Sequence, residues 1–115
     1  MNFPEGEVQH VIRANATPWK PCPPNLPSGC EMAILDGHPK KEDLCTVRFN
    51  VKEKFFMPAH THHKDERVAV ITGKVAVGFG ENVNREEATE FGPGDYYVNA
   101  RKVIHKVWIK EPTVI

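Results

Sequence analysis

A chain of 115 residues with 15 basic and 15 acidic side chains is long enough for one domain and carries no formal net charge. A second core and the basic face that nucleic acid requires are therefore not expected. No window approaches the ~20 apolar residues of a membrane span, and the opening MNFPEGEVQHVIR lacks the apolar stretch of a secretory signal, so a cytoplasmic protein with neither a membrane nor a nucleic-acid partner is expected. Cys22, Cys30 and Cys45 form no C-x-x-C pair, which predicts three reduced thiols and no disulfide framework or cysteine-rich zinc site.

Ten prolines and eight glycines punctuate the chain, leaving segments too short and too β-branched for long helices, so the pattern is all-β. Five of the prolines fall in residues 15–30, NATPWKPCPPNLPSGC, where fixed φ angles and missing backbone donors predict an extended arm covering an exposed sheet edge. Residues 1–30 are accordingly taken as an arm and residues 31–115 as the body. The body offers short candidate strands at Glu31–Leu35, Leu44–Val51, Phe55–His62, Arg67–Ile71, Lys74–Gly80, Asp95–Asn99 and Val103–Ile109, a spacing that suggests a sandwich or a barrel. The acidic stretch Glu81–Glu90 is expected to be a solvated hairpin loop or a single helical turn rather than a binding face.

Chemistry concentrates in PAHTHHKDERVAVITG, where His60 and His62 lie two apart and Glu66 follows four residues later. Positions two apart on a strand share a face, so both imidazoles can aim at one ion while Glu66, after a bend, brings a carboxylate to the same point. Imidazole nitrogen and carboxylate oxygen suit divalent ions from manganese to zinc. His105 supplies a fourth ligand from a stripe of Val103, His105, Val107 and Ile109 that is expected to face one way. His63 alternates to the other face, where it is either exposed or supports a ligand from behind. His10 and His38 lie outside the cluster and are expected at the surface. Three histidines and a glutamate among valines would carry a heavy desolvation cost that a cation offsets.

The string H-x-H-x3-E-x6-G, here His60, His62, Glu66 and Gly73, resembles the first motif of the cupin superfamily. Gly94, followed eleven residues later by His105, has the spacing of the second, and 20 residues separate Gly73 from Gly94. EMAILDGHPKKEDLCTVRFNVKEKFFMPAHTH resembles the strands that precede the metal motif in small single-domain bacterial cupins. The resemblance departs at Lys54, where the superfamily usually has Gly, at Ala100 and Lys102, which replace a P-x-G pair, and at Ile109, which stands where Asn is expected.

This resemblance implies a double-stranded β-helix, a jelly-roll-like barrel, holding one divalent transition metal (Fe, Mn, Ni, Cu or Zn) on His60, His62, Glu66 and His105. It also implies a homodimer, with Trp108 on the outer face covered by the arm or a second subunit, and a further strand after the last histidine that is either trimmed or completed by a partner chain. For function it implies a dioxygenase-like oxidoreductase acting on a small organic molecule, with Glu66 as ligand and proton acceptor. The alternatives are a non-catalytic binding or sensing module, like the cupin domains of zinc-binding anti-sigma factors, and an isomerase. Trp19, Phe55 and Phe56 are expected to be packing residues. One of Tyr96 and Tyr97 should line the barrel, and Arg48 is either a pocket cation or an outward edge residue.

Overall fold

Valine, isoleucine and phenylalanine between proline and glycine turns favour the half-buried pleated surface of a sheet, and ten short strands result among the described residues. They are β1 (Lys20–Pro21), β2 (Cys30–Asp36), β3 (Thr46–Val51), β4 (Phe55–His60), β5 (Glu66–Ala69), β6 (Val75–Phe79), β7 (Thr89–Phe91), β8 (Tyr96–Asn99), β9 (His105–Ile109) and β10 (Thr113–Val114). The structure is a computed structural model that describes residues 3–37, 40 and 44–115; His38 lies outside the described residues.

Every paired strand runs antiparallel. One sheet has the order β1-β2-β3-β10, a second has β4-β9-β6-β7, and β5 pairs with β8. A bridge from Thr72 to Val114 joins the end of the β5 segment to β10. The two larger sheets enclose a core of Val51, Phe55, Val70, Val75, Val77 and Ile109. This is the double-stranded β-helix expected from the motifs. No helix among the described residues is long and apolar enough to cross a membrane.

Three strands escaped the sequence reading because each is only two or three residues long. β1 lies against the edge of β2, with Lys20 opposite Met32. β7 follows a single 3-10 turn at Arg85–Glu87, inside the stretch expected to be only loop or one helical turn. β10 forms within the ten residues after His105 and pairs with β3, while Ile115 and Phe49 exchange two backbone hydrogen bonds.

The cysteine expectation is corrected. Cys22 and Cys30 form a disulfide, their Cα atoms 5.5 Å apart, and Cys45 remains free. The cause is topological, because β1 folds back on β2 and the Cys22 amide donates to the Cys30 carbonyl at 3.2 Å, which sets the pair within bridging reach. Spacing in sequence carries no trace of that.

Gly73, the glycine of the first motif, has φ +80, and a Cβ there would run into Thr113 and the Pro112 carbonyl. Thr113 is itself buried and accepts a hydrogen bond from the Lys74 amide at 3.1 Å. The left-handed backbone and the close approach of β10 thus both demand glycine.

Candidate metal centre

β4 cannot run straight to the site. Met57 pairs with Val107 and His60 with His105, so β4 spends one more residue than β9 over the same span. Pro58 sits in that bulge, on the edge strand of its sheet, where a missing ladder donor is tolerated. The extra residue reverses the facing, and His60 joins Phe55 and Met57 on the cavity wall instead of pointing away from them.

The strand ends there, two residues before its expected end. His62 is carried by the following bend, so its convergence with His60 comes from loop anchoring rather than strand parity. The Lys102 amide donates to the His62 carbonyl at 2.8 Å, and the Arg101 amide and guanidinium both donate to Asp65, at 3.0 and 3.2 Å. Arg101 holds the Asp65 carboxyl below its usual range, and the pair fastens the 62–65 bend to the turn before β9. Lys102 takes φ +64 in that turn, at the position where the superfamily has Gly, whereas Lys54 needs no positive φ.

β5 and β8 deliver the carboxylate. Glu66 pairs with Asn99, and Val68 with Tyr97, so all four share the face turned to the cavity. The buried Asn99 amide donates to Glu66 Oε1 at 2.8 Å. Asn99 went unnoticed in the sequence; its signal would have been its place on the expected strand at even spacing from Tyr97. β9 presents His105 fully buried, with Val107 and Ile109 beside it on the cavity, but Val103 is exposed because the strand begins only at His105.

His60, His62 and His105 offer ring nitrogens within 4.8 Å of one another, a group that could hold a metal ion. Glu66 stands beside them, Oε2 3.1 Å from His62 Nε2 and Oε1 3.7 Å from His105 Nε2. The Nδ1–H groups of His60 and His105 donate to the carbonyls of Pro58 at 2.7 Å and Val103 at 3.1 Å. Those bonds orient the rings and leave Nε2 for a ligand. The Nε2 atoms of His62 and His105 are buried without a hydrogen bond. Such atoms are costly unless something coordinates them, and a divalent cation fits this donor set.

Burial pushes the Glu66 carboxyl up, but His105, Asn99 and the charge of His62 together outweigh it and hold the group below the usual carboxylate range. Glu66 in turn raises His105 against the opposing effect of burial. Burial lowers His60, with His105 and His62 adding to it.

The site closes one end of a cavity of about 490 Å³, a size suited to a small molecule. Its other walls are mostly apolar, among them Phe49, Val51, Phe55, Val107 and Ile109, with Asn25 and Tyr97 as the polar exceptions. Phe55 is therefore both packing and lining, which widens the role expected for it. Tyr97 lines the cavity and stacks on Phe91 with ring centroids 4.4 Å apart, while Tyr96 is exposed. Arg48 does not line it. His63 is exposed, and the exposed His10 reaches the Leu35 carbonyl. Trp108 faces away from the cavity and packs on the exposed Phe56, ring centroids 5.5 Å apart.

Several solved structures share this architecture at low sequence identity. The chain is similar to an acetylacetone dioxygenase from Acinetobacter johnsonii, at 20% identity over 99% of this chain and 74% of that one, with a TM-score of 0.73. It is also similar to KdgF from Halomonas sp., at 19% identity over 93% and 88% of the two chains, with a TM-score of 0.69. A chain in the complex of Rhodobacter sphaeroides SigE with the anti-sigma ChrR matches at 17% identity and a TM-score of 0.64, over 89% of this chain and 48% of that one. No curated protein sequence matches. The model of the ChrR cupin-like domain matches residues 7–115, histidine motifs included, and the chain belongs to that family.

Proposed function

We propose that His60, His62, Glu66 and His105 hold one divalent transition metal, and that the chain is a metal-dependent oxidoreductase of the dioxygenase type acting on a small, largely apolar organic molecule. The observation that carries this reading is the convergence of two buried Nε2 atoms that make no hydrogen bond, with the Glu66 carboxylate beside them, at one end of a largely apolar cavity. The similarity to an acetylacetone dioxygenase supports it. When bound, the metal supplies Lewis-acid and redox chemistry. The chain's own residues do the remainder. Glu66, held ionised, can accept a proton, Asn99 fixes its position, and burial keeps the Tyr97 hydroxyl protonated.

The test is oxygen uptake with phenolic and small keto substrates in the presence of each redox metal. Glu66→Gln keeps a side-chain oxygen and so should retain much of the metal, yet lose turnover by roughly 100-fold or more. Family membership favours a second reading, a non-catalytic module that binds or senses a ligand through its metal. No metal-dependent uptake by the wild-type protein, together with a screened molecule that binds unchanged, would establish the second reading over the first.

The chain is further proposed to be a homodimer, a reading supported by the exposed Phe56 beside Trp108 and by the lysines Lys54 and Lys110 that flank them. Light scattering at micromolar concentration should give twice the 13.0 kDa of one chain, and a mass near 13.0 kDa would defeat it.

A further inference from the structure

The cavity has a direction. Along the β4–β9 pair it runs from His60 opposite His105 to Phe55 opposite Ile109, four residue steps on β9 or about 13 Å. One end carries the histidines and Glu66, and the other is apolar except for Asn25 on its wall.

The apolar end is walled by a loop outside the metal motifs. Residues 22–30, CPPNLPSGC, leave β1 and return to β2 at Cys30, which pairs with Val51, and the Lys52 amide donates to the Gly29 carbonyl at 3.0 Å. Val51 and Lys52 immediately precede the turn into Phe55, so the loop is anchored at the end away from the histidines. Three prolines fix its backbone, the Leu26 amide closes a turn onto the Pro23 carbonyl at 3.0 Å, and the Cys22–Cys30 disulfide staples its base. That rigid frame presents Leu26, which is half-buried, packs on the core and lines the cavity.

Charge narrows the occupant. Among the described residues, Glu66 is the one carboxylate side chain on the lining, and no lysine or arginine lines it. A charged group carried into the apolar end would lose its water and meet no countercharge there.

We infer that Leu26, presented by the stapled loop, sets the length of ligand the cavity admits, and that the ligand is a small molecule with one oxygen-donor head at the histidines and an uncharged apolar tail reaching toward Leu26. The inference rests on the metal-site reading above. The head alone reports on that site, and the tail reports on Leu26.

Straight-chain alkyl hydroxamic acids separate the two, because the head chelates metal while the tail is varied. Calorimetric titration of zinc-loaded wild type, Leu26→Ala and Leu26→Phe would use chains from about two to about ten carbons. In wild type each added methylene should tighten binding about four-fold until the tail meets Leu26, after which the gain stops. Leu26→Ala should move that break to longer chains and Leu26→Phe to shorter ones. Acetohydroxamic acid, which fills only the head end, should bind all three proteins alike, and this equality also shows that both variants are folded. A break at the same chain length in all three proteins, or no dependence on chain length in wild type, would overturn the role of Leu26 while leaving the metal centre standing. Failure of acetohydroxamic acid to bind zinc-loaded wild type would overturn the metal reading, and this inference with it.

Discussion

His62→Ala is expected to leave the purified chain with little bound metal, as measured by elemental analysis of protein prepared without added metal. The Nε2 of His62 is buried, has no hydrogen bond and points at Glu66 3.1 Å away. Alanine removes a donor and also the group that fixes the approach of the carboxylate. The loss in affinity should exceed the roughly 10- to 100-fold typical of removing a supporting partner, which is the effect expected of Asn99→Ala. His63→Ala is the control, since His63 is exposed and its loss should change nothing. Unchanged stoichiometry in the His62 variant would show that the four-residue assignment is wrong.

The same site fixes the sign of the pH dependence. His60, lowered by burial, loses its proton at lower pH than His105, which Glu66 raises above the usual imidazole value near ~6.5. A metal must displace the His105 proton, so affinity should fall on acidification, beginning above ~6.5. Without metal the contribution of this pair runs the other way. The raised His105 stabilises the fold below its unfolded value and ceases to as pH rises through its folded one, whereas the depressed Glu66 contributes above its unfolded value and is lost on acidification through its folded one. The pair thus supports the metal-free fold at weakly acidic pH, and metal supports it increasingly as pH rises. Thermal melts with and without zinc should diverge between about pH 6 and about pH 8, and parallel curves would count against the site.

Replacing both Cys22 and Cys30 with Ser should lower stability by about 2.5 kcal/mol, the chain-entropy value for a loop of this length, and melting by about 10 °C. The bridge spans a sequence separation of 8 and closes a loop whose Cys22, Leu26 and Cys30 all pack on the core. A reductant should reproduce the loss in wild type. Thiol titration of denatured, unreduced protein should find one thiol, that of Cys45. Three thiols, or a melt indifferent to reductant, would restore the reduced state that the spacing of the cysteines suggests.

The candidate metal-site residues were legible because their types are rare together and their spacing survives in one dimension: two imidazoles, a carboxylate and a distant histidine, each next to a strand or turn signal. The β class was legible for a related reason, since proline, glycine and β-branched residues act locally on φ and ψ. How those side chains come to converge was not legible. An unbroken strand from Phe55 would turn His60 away from the face that Phe55 and Met57 share, and only the bulge at Pro58, visible as the mismatch between β4 and β9, turns it back. His62 is held by Lys102 and Asp65 by Arg101, residues about 40 positions downstream whose own neighbours in sequence say nothing of it. Asn99 beneath Glu66, Cys22 beside Cys30 and Leu26 over the cavity follow the same rule. Each depends on which strands pair and in what register, and pairing between segments distant in the chain is a property of the packed sheets that local propensity does not encode.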